Sequence, residues 1–247
     1  MAWLHAVIDV PEPAHAAATV FWARALGWPP GPPWTGHPEL RSLEPPTGTA
    51  YVHLQEVDAP ARVHLDLDVD DPERAVDGAV ALGATHVAAH DRWQTMRSPG
   101  GLPFCLVRSS PSRIPPPVRW PDGHRSRMVQ VCIDAPQDAH DAEVAFWRAL
   151  LPGRWSRSDS PEFAGKWHEP PSPVQLLLQR LEDDTGPVRA HLDLGTDDRP
   201  VEVARLVALG AREESAGPGW QVLRDPTGMR FCVTDNSPSS DLPRDLA

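Results

Sequence analysis

His64-Leu65-Asp66-Leu67 recurs later in the chain as His191-Leu192-Asp193-Leu194. At the same offset Val80-Ala81-Leu82-Gly83-Ala84 recurs as Val207-Ala208-Leu209-Gly210-Ala211, Trp93-Gln94 as Trp220-Gln221, Arg97 as Arg224, and Phe104-Cys105 as Phe231-Cys232. At an offset two residues shorter, Ile8-Asp9 matches Ile133-Asp134 and Phe21-Trp22 matches Phe146-Trp147. Self-similarity at a steady offset marks a repeated architecture, so the chain reads as two homologous halves. Between them, Ser109 to Ser126 holds Pro111, Pro115, Pro116, Pro117 and Pro121. Proline at that density favours extended geometry and has no N–H for a sheet ladder, which predicts a stiff linker. The expected organisation is a first domain over 1–108, a linker over 109–126, a second domain over 127–235 and a polar tail over 236–247.

Inside each half the pattern runs strand, helix, short strands, and then repeats. Leu4, Ala6, Ile8 and Val10 alternate with Trp3, His5, Val7 and Asp9, the period of a strand. A helix is expected from about Ala14 to Leu26, with Gly27 where a left-handed residue ends it. Short strands follow near Glu39 to Leu43 and Tyr51 to Val57. The next unit opens with a strand over Val63 to Val69; Asp71 and Pro72 then give an N-cap and a first-turn proline for a helix reaching Leu82, ended by Gly83. Short strands near His86 to Ala89, Gln94 to Arg97 and Phe104 to Val107 complete the half. The predicted class is α+β, with four βαβββ modules forming two cupped, curved mixed sheets.

Alternation also separates the faces of the strands. Val63, Leu65, Leu67 and Val69 form an apolar face to be covered by helices, and His64, Asp66 and Asp68 point the other way. The polar side collects His5, Gln55, His64 and Cys105 in the first half and Gln130, Gln179, His191 and Cys232 in the second. Residues from separate strands converging on one concave face have the form of a small-molecule site.

Composition narrows the function classes. With 23 basic against 34 acidic residues in 247, the net charge is −11, which argues against a phosphate-tracking surface and against a membrane-surface role. No apolar run approaches a membrane span, and Met1 to Val10 has no cationic lead. Cys105, Cys132 and Cys232 are too few and scattered for a disulfide framework and read as free thiols, so the expected location is cytoplasmic. The expected partner is a small molecule, with no nucleic acid and no membrane, bound by a monomer or homodimer.

Paired βαβββ units, the His-Leu-Asp-Leu strand leading into an Asp-Asp helix start, the Leu-Gly-Ala helix end and Asp225-Pro226-Thr227-Gly228-Met229-Arg230-Phe231-Cys232 resemble the vicinal oxygen chelate superfamily, and within it the tandem glyoxalase-like proteins. The resemblance covers all but the linker and tail. It implies metal-ligand positions at His5, Gln55 and His64, with Cys105 where the last strand normally supplies a glutamate; in the second half Gln130 replaces the first histidine as well. Amide and thiol in place of carboxylates suit a hard divalent ion poorly, so no cofactor is favoured and no metal ligands are assigned, a divalent metal being the less favoured alternative. A hybrid arrangement would bring His5 and Gln55 to His191 and Cys232, and Gln130 and Gln179 to His64 and Cys105.

The candidate catalytic residues are His64, Asp66, His191 and Asp193, because a carboxylate two residues from an imidazole on one strand face tunes it for proton transfer. The plain alternative is that they are satisfied polar residues of an inherited scaffold. Candidate substrate-binding residues are His5, Gln55, Trp93, Cys105, Gln130, Gln179, Trp220 and Cys232. Trp28, Trp34, Trp155 and Trp167 are either pocket walls or core, and Phe21-Trp22 and Phe146-Trp147 are core. Two functions are carried forward: a lyase- or isomerase-type enzyme moving a proton on a carbonyl substrate, and a non-catalytic protein that sequesters a small natural product or antibiotic.

Overall fold

The computed structural model describes residues 3–158 and 160–239. The first half runs β1 (Leu4–Val10), α1 (Glu12–Leu26), β2 (Pro30–Trp34), β3 (His37–Leu43), β4 (Val52–Glu56), β5 (Arg62–Val69), α2 (Pro72–Ala81), β6 (Thr85–Ala89), β7 (Trp93–Arg97) and β8 (Pro103–Arg108). A short β9 (Val118–Arg119) precedes the second half: β10 (Arg125–Ala135), α3 (Gln137–Leu150), β11 (Trp155–Ser156), β12 (Phe163–Trp167), β13 (Gln175–Arg180), β14 (Arg189–Thr196), α4 (Arg199–Ala208), β15 (Arg212–Gly217), β16 (Trp220–Arg224) and β17 (Arg230–Thr234). These are four βαβββ modules, paired into two curved mixed sheets ordered β2-β3-β4-β1-β5-β8-β7-β6 and β11-β12-β13-β10-β14-β17-β16-β15. None of the helices among the described residues is long and apolar enough to cross a membrane.

The helix ends follow the local chemistry of the sequence. Asp71 accepts from the Arg74 amide and Asp198 from the Val201 amide, each capping a helix that opens on or next to proline. Gly27 ends α1 at φ 66°, a left-handed geometry that glycine reaches without a Cβ penalty. Three elements went unanticipated. β2 is Pro30-Gly31-Pro32-Pro33-Trp34, and it is tolerated because it lies at a sheet edge, where missing N–H groups cost least. β11 is only two residues long. β9 pairs with β10, Arg125 opposite Arg119 and Ser126 opposite Val118, so the proline-rich stretch does feed the ladder where Val118 and Arg119 interrupt the prolines.

The register confirms the separation of faces. Parallel pairing of β5 with β8 sets Leu65 beside Phe104 and Asp66 beside Cys105; β14 and β17 repeat this with Leu192 beside Phe231 and Asp193 beside Cys232. The phenylalanine side is helix-covered. Phe104 lies 5.7 Å from Phe146 and 5.4 Å from Trp147 of α3, while Phe231 lies 5.8 Å from Phe21 and 5.1 Å from Trp22 of α1. The first helix of each half therefore packs on the last strand of the other half. Accordingly the chain divides into two compact units, each drawing on both halves: the described parts of Met1–Ala6, His64–Ser112 and Val131–Ala190, and those of Val7–Val63, Arg113–Gln130 and His191–Ala247. Of the tail, residues 240–247 lie outside the described residues; before them the Pro238 carbonyl is buried and accepts from Arg127 Nε at 2.8 Å.

Candidate active site

In the first unit the polar face of β5 meets β1 and β8. His64 Nε2 lies 3.3 Å from Asp66 Oδ1, and His5 Nε2 lies 3.0 Å from Asp68 Oδ1. Alternation along β5 puts His64, Asp66 and Asp68 on one face, which makes these contacts possible. His64 and Asp66 are 7% and 8% exposed, so the polar groups of both are largely shielded from water. Cys105, beside Asp66 in the register, lies 3.9 Å from the Thr95 hydroxyl. Burial first, and the Asp66 carboxylate second, push its thiol up to about 11, so it is protonated at neutral pH and no ready nucleophile.

The second unit repeats the motif with one replacement. His191 Nε2 lies 3.3 Å from Asp193 Oδ1, and Cys232 is beside Asp193. Gln130 donates from Nε2 to Asp193 Oδ2. Its own Oε1 is buried with no hydrogen-bond partner among the described residues.

Trp93 and Trp220 fall on the same sheet faces as the cysteines: β7 sets Thr95 opposite Cys105 with Trp93 two residues away, and β16 sets Val222 opposite Cys232 with Trp220 two residues away. Trp93 stacks on His90 with centroids 4.6 Å apart. Gln55 is half-buried on β4, and Gln179 accepts from the Cys132 thiol at 3.5 Å. Trp28 and Trp167 are fully buried core residues; Trp28 meets Tyr51 edge-on, and the Trp167 indole donates to the Pro152 carbonyl. His5 is held by Asp68 and Gln130 by Asp193, each within its own half. Asp68 as the partner of His5 was not assigned from sequence, although its face was; the signal was its place two residues beyond Asp66.

The profile of the glyoxalase-like domain matches residues 5–107 and again 130–234. The chain belongs to the glyoxalase-like domain family. Solved structures agree on the fold. Mn(II)-bound glyoxalase from Novosphingobium aromaticivorans superposes with a TM-score of 0.68 at 17% identity, over 98% of this chain and 83% of that one. A triple mutant of 4-hydroxymandelate synthase from Streptomyces coelicolor gives 0.59 at 16% identity, over 98% and 94%. The 2,2',3-trihydroxybiphenyl 1,2-dioxygenase from Sphingomonas wittichii gives 0.58 at 14%, over 93% and 88%. No curated protein matches the sequence. At these identities the likeness establishes architecture alone.

The donors on the polar faces can be tested against a divalent metal. His64, Asp66 and Cys105 present ligand atoms within 4.8 Å of one another, as do His191, Asp193 and Cys232. Each set mixes imidazole, carboxylate and thiol. A hard ion such as Mn²⁺ favours oxygen donors, whereas thiolate favours zinc and softer ions. These residues therefore do not fit a manganese-type centre, although they are close enough to gather around a thiophilic ion.

Proposed function

We propose that this glyoxalase-like protein binds a small carbonyl-containing organic molecule against the polar sheet face and moves a proton on it, as a lyase or isomerase does. The observation carrying this reading is the buried imidazole–carboxylate pair, with the same 3.3 Å separation in both halves. A carboxylate beside an imidazole stabilises the imidazolium that forms when the ring accepts a proton from carbon. His64 and His191 are the groups that take the proton; Asp66 and Asp193, with Oδ1 3.3 Å from each ring, are positioning residues that act through their charge. Trp93 and Trp220, on the same sheet faces further along the strands, supply apolar surface for the substrate's carbon frame.

Deuterium incorporation from D₂O into enolisable carbonyl probes tests the reading. A His64→Gln/His191→Gln double variant should lose about 100-fold or more of the wild-type exchange rate, the usual contribution of a general base. Exchange unaffected by loss of both imidazoles would eliminate it. Sequestration without turnover is supported by a different feature, the unsatisfied Gln130 Oε1, which a ligand donor would complete. Tryptophan quenching by a probe that the protein leaves chemically unchanged would favour that second reading.

A further inference from the structure

His15 of α1 and His140 of α3 stand at the same offset as Phe21 and Phe146, yet their surroundings differ. The His140 Nδ1 accepts from Arg180 Nη2 at 3.1 Å, and Asp141 Oδ1 lies 2.9 Å from that nitrogen and 3.2 Å from the same guanidinium. Cation and acid are matched there within the chain. In the first half Ala16 stands in place of Asp141, and Glu56, one residue past Gln55, in place of Arg180. A cation comes instead from β3. Pairing of β3 with β4 sets Arg41 opposite Leu54, which is fully buried on the face that α1 covers, and Glu56 follows on that face. The His15 pKa is lowered by burial first; Glu56 then raises it and Arg41 lowers it. Among the described residues the Arg41 guanidinium and the His15 ring make no hydrogen bond or ion pair, although Arg41 Nε and His15 Nε2 are both buried. Glu56 is exposed and pairs with neither.

A guanidinium cannot shed its charge, so a half-buried one whose donors have no acceptor is costly to keep. An anion removes that cost. Arg41 offers a planar fork to two oxygens and a His15 Nε2–H offers a bond to a third, a set that suits the three free oxygens of a phosphate group better than the two of a carboxylate. We infer that His15 and Arg41 form a phosphate-binding site beneath α1, on the side of the sheet away from the polar face, the occupant being inorganic phosphate or a phosphate monoester. The charged groups around His15 are Arg41 from β3, Glu56 from β4 and Glu12 three residues back on α1; Glu39, on the same strand face as Arg41, is held by His37. A bound dianion favours the imidazolium over neutral His15, so anion and proton bind together. The His140 Nε2 is also buried without a partner, but Arg180 beside that ring is already paired with Asp141, so one site per chain is expected.

Calorimetric titration of the full chain with inorganic phosphate should show one saturable site. Arg41→Gln and His15→Ala should each weaken it about 10-fold or more, the usual worth of a hydrogen bond to a charged partner. Ala16→Asp, which sets an acid beside His15 as Asp141 stands beside His140, should weaken it similarly without lowering Tm, and His140→Gln should leave it unchanged. Sulfate, whose charge is constant near neutral pH, gives a second readout: its affinity should rise as pH falls in the wild type and stay flat in His15→Gln, which keeps a donor but cannot titrate. Phenyl phosphate binding as tightly as phosphate would identify the occupant as an ester, and its exclusion would identify the free anion. No saturable site in the wild type, equal affinity in Arg41→Gln, or a loss in His140→Gln as large as in His15→Ala would overturn the assignment.

Discussion

Trp22 and Trp147, the matched indoles of α1 and α3, each donate to a buried carboxylate, and the two carboxylates come from unmatched places. Trp22 Nε1 reaches Asp225 in the loop before β17, and Asp225 also accepts from the Thr227 amide. Trp147 Nε1 reaches Glu143 on its own helix, and Glu143 also accepts from the Gly100 amide. At the repeat offsets Thr227 corresponds to Gly100, Asp225 to Ser98 and Glu143 to Ala18. The same two donors are thus satisfied from the loop in one unit and from the helix in the other. Glu143→Ala should destabilise by about 2–3 kcal/mol in denaturant unfolding, the cost of stranding buried donors. Adding Ser98→Asp should recover part of it, and no recovery would refute the exchange. At the same scale, zinc should raise Tm where manganese at equal concentration does not, the gain vanishing in Cys105→Ser/Cys232→Ser. Occupation of His64 by that zinc should also slow proton exchange. Alternation alone placed His64, Asp66 and Asp68 on one face. The carboxylate exchange was invisible in sequence, because pattern matching aligns like with like and this pair is satisfied by unlike positions.

Among the elements, the hairpin around β9 shows how a proline-rich connection is fixed. His124 Nδ1 lies 2.6 Å from Asp122 and Nε2 lies 2.8 Å from Glu202 on α4. Arg205 binds the same Glu202, lies 3.5 Å over the Trp120 ring, and donates to the Arg24 and Ala25 carbonyls at the end of α1. Burial alone would lower the pKa of His124, but Glu202 and Asp122 outweigh it and hold the imidazole above its ordinary 6.5. A raised folded-state pKa gives stability that is complete below about 6.5 and lost as pH rises through the folded value. Calorimetry should therefore show Tm falling above that pH in the wild type, and a shallower fall in His124→Gln. Equal slopes would remove the latch. The caps were legible because Asp71 and Asp198 precede proline-opened helices, and replacing either by alanine should cost about 1 kcal/mol. β2 was not legible, since its prolines argue against a strand unless its edge position is already known.

For the molecule as a whole, the repeat predicted four modules and two sheets, and both are present. What periodicity could not convey is that each compact unit takes pieces from both halves. Aromatic contacts across the repeat, such as Phe21 and Trp22 on Phe231, leave no mark in a local pattern. Residues 1–108 expressed alone should consequently expose Phe21, Trp22 and Phe104 and associate or aggregate, whereas co-expression with 127–239 should restore a cooperative transition. A monomeric 1–108 fragment with native-like melting would contradict this. Gly195 sets a limit on redesign of the second half. Any side chain introduced there must displace the Asn236 carbonyl oxygen, 2.6 Å from an added Cβ, and the Val129 methyl at 2.8 Å. Selection for new chemistry in the second cup would have to recruit from other strands.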